Sequence, residues 1–440
     1  MLHSQAEALK RGVPLHVAVC IPPSHGHMTL RHYSFMLEGL KEVEEELVQL
    51  GIGFHLLLGD PPSKLTPSFL ASLQVGLLVA DFSPLREHRS WLAALDKNLS
   101  NSCSIQQVDA HNVVPVWVTS EKQEYAARTI RTKITNKLPD YLTPFPPVIS
   151  HPDAPEKKVA PADFAAAYAS LNVDRDGLGV APVDEHFAPG YQAGLANLEQ
   201  FVSSRLKHYS TDRNDPTKFA LSNMSPWVNH GQVSMQRAVL YVKAEGKSYS
   251  SSAAGFVEEA VVRRELSDNF CFYNPKYDSI LGATDWAQKT LADHAKDTRE
   301  YIYSREEFEE GRTHDDLWNA AQLQLVQEGK MHGFLRMYWA KKILEWTQSP
   351  EQALEEAIRL NDRYALDGND PNGYVGVMWS IAGIHDQVRI LSSSLSDNIE
   401  IGAFKIVITL LAAFSLSGVG RTKGVREDQV HELCWLQEEV

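Results

Sequence analysis

The hydrophobic period of the chain changes once, across a proline-rich stretch at residues 140–190. Before it, short apolar runs alternate with helical patterns; after it, the patterns are helical with short breaks as far as His385. Apolar residues in alternation or in a short continuous run argue strand, and recurrence at three and four positions argues helix. The first part reads as helix over 4–10, strand over 15–21, helix over 31–50, strand over 53–58, helix over 66–72, strand over 75–80, helix over 85–100 and strands over 104–109 and 113–117. The run VGLLVA at 75–80 is apolar throughout, which suits a strand buried on both faces. Such alternation predicts a doubly wound parallel sheet. Pro144, Pro146, Pro147, Pro152, Pro155 and Pro161 mark a linker or a loop that wraps the surface. From about Ala193 the expected fold is all-α. The units expected are 1–135 (α/β), 136–192 (linker), 193–387 (all-α) and a tail of different character, 388–440.

A chain of 440 residues is long enough for two cores. Its net charge of −14 does not point to a nucleic-acid binder, although a local basic groove can hold phosphates on an otherwise acidic surface. Cys20, Cys103, Cys271 and Cys434 are scattered without a CxxC pair, which argues against a disulfide scaffold or zinc ribbon and for a reducing intracellular compartment. The start, MLHSQAEALKRG, is polar and amphipathic and carries no secretory pattern. No GxGxxG follows a strand, so nothing supports a nicotinamide cofactor. His25, His27 and His32 read as a surface turn, and no metal is assigned. No Ser/His/Asp triad is legible.

Residues 330–387 concentrate the unusual chemistry. Trp339 and Trp346 lie seven apart in a helical pattern, near one face and about 10 Å apart along the axis. They read either as two core residues or as an electron path. Asn361 and Asp367 precede the turn-forming run from Gly368 to Gly373, where a cap or turn role is the plain alternative. Ser222, Ser225 and Pro226 form a helix-start signal, which either caps a helix or holds a phosphate on free amides.

These words, with DDLWNAAQ at 315–322, RRELSDNFCFYNPKYDS at 263–279, LSNMSPWVNHGQVS at 221–234 and RNDP at 213–216, resemble the class II cyclobutane pyrimidine dimer photolyases of the photolyase/cryptochrome superfamily. The likeness covers roughly residues 8–387. It implies a Rossmann-like α/β antenna domain followed by an all-α FAD-binding domain. It implies light-driven repair of pyrimidine dimers in double-stranded DNA by electron transfer from reduced FAD to a flipped-out dimer, with a second antenna chromophore as in many relatives. By the same resemblance, Ser222, Met224 (through its backbone) and Ser225 hold the FAD diphosphate. Asn361 faces the reactive ring nitrogen, and Asp367 and Asp386 contact the ring. Trp339, Trp318 and Trp346 form an electron path in that order from the flavin outwards, with Tyr338 and Tyr374 assisting. Glu259 hydrogen-bonds the dimer, and Arg213, Asn214 and Trp379 complete the substrate side. Arg263, Arg264, Arg336, Lys341 and Lys342 are candidate phosphate contacts. A monomer without an obligate protein partner is expected, and the DNA substrate points to the nucleus.

Both ends depart from the family pattern. The chain begins inside the helix that follows the family's first strand, a central one, whose loss would leave neighbouring backbone groups unpaired. After Gln387 a GWxERxVFGKIRYMNYxGCxRKFD-like segment is replaced by VRILSSSLSDNIEIGAFKIV. The apolar run at 399–420 reads as a buried helix, a marginal membrane span or a stretch that does not fold, with the span disfavoured. These ends motivate two alternatives: a truncated, repair-deficient isoform, and a cryptochrome-like flavoprotein light sensor.

Overall fold

The computed structural model describes residues 1–59, 61–99, 103–155 and 159–385. Asp386 and the whole tail, including the run at 399–420, lie outside the described residues. Four strands form: β1 (His16–Ile21), β2 (Gly53–Leu58), β3 (Leu77–Asp81) and β4 (Ser104–Val108). β1 pairs in parallel with β2, from His16 opposite Gly53 to Ile21 opposite Leu58. β3 pairs in parallel with β4, from Leu77 opposite Ser104 to Asp81 opposite Val108. Parallel neighbours need a crossover, and helices Leu30–Gln49 and Arg86–Asn98 supply the two required here.

The single doubly wound sheet expected from the alternation is instead two separate two-stranded parallel sheets among the described residues. A cleft of about 2090 Å³ is lined by Val17, Ala18 and Cys20 of β1 and by Leu78, Val79 and Ala80 of β3. β3 is therefore not buried on both faces: Leu77 to Ala80 are half-buried and Asp81 is exposed. The strand expected over 113–117 is also absent. Val116–Thr119 is a single helical turn after Pro115. The reason is that the amides a strand would offer are already taken. Glu265 Oε1 accepts the N–H groups of Val113 and Val114 at 2.7 and 3.2 Å, and Asp109 Oδ2 accepts that of Val116 at 3.1 Å.

The proline-rich stretch wraps the α/β layer. His151 N–H donates to Leu50 O at 2.7 Å, and Ala162 N–H to Glu44 at 2.6 Å. Helix Phe164–Ser170 then buries Ala167 completely beside Tyr33 and Leu37. Beyond it the described chain is helical. Four helices make the second core: Asp316–Glu328, Gly333–Glu345, Pro350–Tyr364 and Pro371–Ala382. Each begins at a side-chain cap, namely Asp315, His332, Ser349 and Asp370. Two of them stop at a left-handed glycine, Gly329 at φ +73° and Gly383 at φ +57°. Their apolar faces bury Leu335, Ile343, Leu354, Leu360, Met378 and Ile381 together with three tryptophans. At about 1.5–3 kcal/mol for each large side chain buried, this cluster is a main source of stability. Among the described residues no helix is long and apolar enough to cross a membrane, and no group of three or more His, Cys, Asp or Glu residues is placed to hold a metal ion.

Candidate functional site

Helix Pro350–Tyr364 delivers Asn361 at its last turn, and the segment after it brings Asp367 to the same place. The Asp367 side chain is 9% exposed. It accepts hydrogen bonds from Arg336 Nη2 at 2.6 Å, Ser225 Oγ at 2.6 Å and Lys330 Nζ at 2.8 Å. Burial on its own would raise the carboxyl, but the charges of Arg336 and Lys330 outweigh it and hold Asp367 well below the usual carboxylate range. Arg336 Nη1 also donates to Asn361 Oδ1 at 3.3 Å, and Asn361 Nδ2 donates to Asp362 at 2.9 Å. Burial pushes the Asp362 carboxyl up to about 6. Gly373 keeps this wall open: a Cβ there would lie 2.7 Å from Asn361 Nδ2.

Two cations meet one firmly ionised carboxylate here. Around Asp367 the two cations exceed the single carboxylate, and this local excess favours an anionic guest on that side, whereas Asp362, beyond Asn361, adds a second carboxylate that is largely ionised above about pH 6. Among the described residues, Asp362 Oδ2 and His332 Nε2 lack a hydrogen bond of ordinary geometry. The donor set therefore fits an anionic, hydrogen-bonding group such as the reduced flavin that the resemblance implies. Ser225 belongs to the network. Ser222 and Met224 lie just before it, where Asn197 Nδ2 donates to Ser222 O at 2.9 Å and packs 3.2 Å from the Met224 sulfur. Asn223 between them has φ +54°.

The tryptophans form a connected stack. Trp318 lies nearly parallel to Trp339, with centroids 6.3 Å apart and planes 4° apart, and meets Trp346 edge-on at 5.8 Å. Trp339 and Trp346 share a helix, yet the path between them runs through a ring from the neighbouring helix Asp316–Glu328. Trp318 Nε1 donates to Trp339 O at 3.0 Å, and Trp339 Nε1 to Gln322 Oε1 at 2.9 Å. Trp346, expected outermost, is only 1% exposed. Its further neighbours are Tyr303 at 5.5 Å and His314 at 5.1 Å, and Tyr301 stacks on His314 at 3.8 Å. The aromatic path meets solvent at Tyr301, which the sequence reading passed over. Tyr338 gives its hydroxyl hydrogen to Asp315, and Tyr374 packs on Tyr277 at 5.0 Å.

On the substrate side the structure joins Arg213 to Glu259, with Arg213 Nη1 2.6 Å from Glu259 Oε1 and both side chains partly exposed. Glu259 sits in the wide helical turn Glu258–Arg263, an expanded geometry that re-aims side chains. Trp379 is half-buried with the Arg263 guanidinium 5.7 Å from its ring. Asn214 is exposed beside Arg213. Two candidate phosphate contacts are corrected. Arg336 points into the Asp367 network, and Arg264 is 8% exposed with Nη1 on His111 O at 2.6 Å. Each instead answers a buried acceptor, although Arg336 remains a quarter exposed. Lys342 pairs with Glu345 at 2.8 Å, and Lys341 is exposed. Lys330 was missed altogether: a lysine two residues before a helix cap carries no local sign of its burial.

Comparison with known proteins gives a consistent picture. Residues 2–152 match the DNA photolyase family. The chain is 56% identical over 386 residues to a deoxyribodipyrimidine photo-lyase of Potorous tridactylus, covering 88% of this chain and 72% of that protein. It is 47% identical over 400 residues to a deoxyribodipyrimidine photo-lyase of Arabidopsis thaliana, covering 88% and 79%. Among solved structures it is similar to a class III photolyase from Agrobacterium tumefaciens, with TM-score 0.69 and 18% identity over 86% of this chain and 76% of that one. It is also similar to a cryptochrome of Synechocystis, with TM-score 0.67 and 17% identity over 88% and 80%. At those identities the two structures speak for the fold alone.

Proposed function

The chain belongs to the class II deoxyribodipyrimidine photo-lyases of the photolyase/cryptochrome superfamily, and from this we propose that it splits cyclobutane pyrimidine dimers in DNA in a light-driven lyase reaction. Family membership implies a flavin. The observation that carries the assignment of residues is the buried, cation-rich network of Asp367, Lys330, Arg336, Ser225 and Asn361 beside the stacked Trp339 and Trp318. Reduced FAD bound there would supply, on excitation, the electron that opens the cyclobutane ring and that returns once the two pyrimidines separate.

The residues divide the remaining work. Arg336 and Lys330 hold negative charge in the site, and Asn361 orients a fixed dipole beside it. Ser222, Met224 and Ser225 form the diphosphate side. Trp318, Trp339 and Trp346 lead electrons inward from Tyr301 and Tyr303 to reset an oxidised flavin. Arg213 and Glu259 form a pre-organised pair in which Glu259 accepts hydrogen bonds from the flipped lesion, and Trp379 packs against it. A damaged pair stacks poorly, so its extrusion costs less than that of an intact step. A light-harvesting chromophore would belong to the α/β part. The acceptor is double-stranded DNA, the working form is a monomer, and the substrate places the protein in the nucleus.

Of the two alternatives, the light sensor is the weaker: the relatives at 37–56% identity are photo-lyases, and the cryptochrome stands at 17%. The test is direct. Protein purified in the dark is expected to carry flavin absorbance and to restore a dimer-containing oligonucleotide under blue light. Flavin-loaded, reduced protein that leaves the dimer intact would sink the proposal and favour the repair-deficient reading. Glu259→Gln should lower repair per absorbed photon about tenfold, the loss of one charge-assisted hydrogen bond, at unchanged flavin content.

A further inference from the structure

Asp367 sits on a short non-helical segment whose main chain is held in an unusual way. Three consecutive carbonyls, those of Tyr364, Ala365 and Leu366, are each capped by a side chain from a distant part of the chain. Arg31 Nη1 donates to Tyr364 O at 2.9 Å, His32 Nε2 lies 2.9 Å from Ala365 O, and His230 Nε2 lies 3.1 Å from Leu366 O. Asn229 Nδ2 continues the row onto Gly368 O at 2.9 Å. The amides are held as well, Leu366 N–H by Gly329 O at 2.7 Å and Asn369 N–H by Asp362 Oδ1 at 2.9 Å.

Arg31 and His32 are 2% and 1% exposed. They occupy the first turn of helix Leu30–Gln49, in the α/β part and 333 positions from the carbonyls they cap. Arg31 uses the rest of its fork to fasten the same region: Nη2 donates to Val326 O at 2.7 Å and Nε to Ala181 O at 3.0 Å. The tautomer of His32 follows from its other nitrogen. Nδ1 accepts the Thr29 N–H at 3.1 Å, so Nε2 carries the hydrogen and donates to Ala365 O. Burial pushes His32 down to about 3 and His230 down to about 4, so both rings are neutral at ordinary pH. A side-chain cap of known tautomer fixes a carbonyl's direction, and three in a row fix the twist of the chain between them.

We propose that Arg31, His32 and His230 are positioning residues for the flavin site: they clamp main-chain carbonyls 364–366 so that the Asp367 carboxylate meets Lys330 and Arg336 before any cofactor arrives. None of the three touches the Asp367 carboxylate, and each acts through the backbone that carries it. The clamp also gives the α/β part a task in the chemistry of the helical part. The proposal rests on the reading of Asp367 as a flavin-site residue.

The test is a double-mutant cycle on the full chain, read in two ways. His32→Leu removes the donor, and His32→Gln restores one of similar reach. Hydrogen exchange on the protein as purified should show the amides of 366–369 opening about tenfold faster or more in His32→Leu, with recovery in His32→Gln and no change in helix Gly333–Glu345. Equal exchange in wild type and His32→Leu overturns the clamp. In the second reading, FAD binding should weaken about tenfold or more for His32→Leu alone, but by less than about twofold when Asp367→Asn is already present. Additive losses in the cycle mean that His32 acts on general stability and not through Asp367, and that also overturns the proposal. Should His32→Leu fail to fold, Arg31→Lys enters the same cycle, since it keeps the charge but loses the fork that reaches Tyr364 and Val326 together. A wild-type chain that takes up no FAD defeats the flavin reading of the site, while the exchange experiment still decides the clamp.

Discussion

Single residues in this protein owe their chemistry to what burial does to them and what opposes it. At Asp367 two cations outweigh burial, and the carboxylate stays ionised. At His88, His230, His332 and His385 burial dominates, and the imidazoles fall from 6.5 to about 4. At Glu265 burial again dominates over two backbone donors and raises the carboxyl from 4.5 to about 8. These shifts set the pH dependence of stability. A histidine depressed in the folded state contributes stability that is present above its unfolded value, and it is lost as pH falls from about 6.5 through about 4. A carboxyl raised in the folded state works the other way, its contribution lost as pH climbs from about 4.5 through about 8. With His32, depressed to about 3, five buried histidines outnumber two raised carboxyls, Glu265 and Asp362, so unfolding midpoints in urea should rise from pH 4 to about 6.5 and then decline gently towards pH 8. Each coupled proton contributes a slope of about 1.4 kcal/mol per pH unit. Glu265→Gln should flatten the alkaline decline and steepen the rise between about pH 4.5 and 6.5, where the wild-type carboxyl opposes the histidines; a decline that persists in the variant would refute the assignment.

At the level of elements, the site is made by helix ends. Asp315 caps helix Asp316–Glu328 through the Trp318 amide at 2.9 Å and also takes the Tyr338 hydroxyl. That one carboxylate therefore sets the start of the helix that carries the middle tryptophan. The next helix, Gly333–Glu345, places Arg336 on Asp367 and Trp339 against Trp318, three residues apart on one face. Because the path from Trp339 to Trp346 crosses to Trp318 and back, Trp318→Phe should interrupt it although both outer rings remain. Light-driven reduction of the oxidised protein should slow about tenfold or more, equivalent to about 1.4 kcal/mol of added barrier, and chemical reduction should restore repair. Transient absorption at the flavin band measures the first. A rate equal to wild type would mean that Trp339 and Trp346 exchange electrons without the middle ring.

For the molecule as a whole, a net charge of −14 has to coexist with binding of a polyanion. The candidate DNA contacts Arg213, Arg263 and Lys341 are local, and several of the cations offered by the sequence are used internally, Arg336 and Arg264 among them. Few phosphate contacts against a repulsive background predict affinity that falls with salt along a shallow line, to be read by fluorescence anisotropy on dimer-containing duplex. Lys341→Ala should reduce that slope by about one. An unchanged slope would remove Lys341 from the phosphate contacts.

Much of this protein was legible in local pattern. The order of most strands and helices and the wrapping proline-rich stretch follow from periodicity and from turn-forming residues, both of which act within a few positions, whereas the Ser225 start forms no side-chain cap. The motif blocks named the family because they preserve many such local choices in order. Three things were decided only by the tertiary structure. The segment 113–117 does not form a strand because Glu265, about 150 residues away, takes the amides of Val113 and Val114 first. The chain's β layer divides into two pairs around an open cleft, a matter of which edges meet and not of which residues favour strands. Arg336 and Lys330 gathered on Asp367, and Arg31 and His32 on the carbonyls of 364 and 365, because charges and polar groups remote in sequence must find partners once water is excluded. Propensity acts on neighbours along the chain, whereas desolvation acts on neighbours in space, and the functional site belongs to the second.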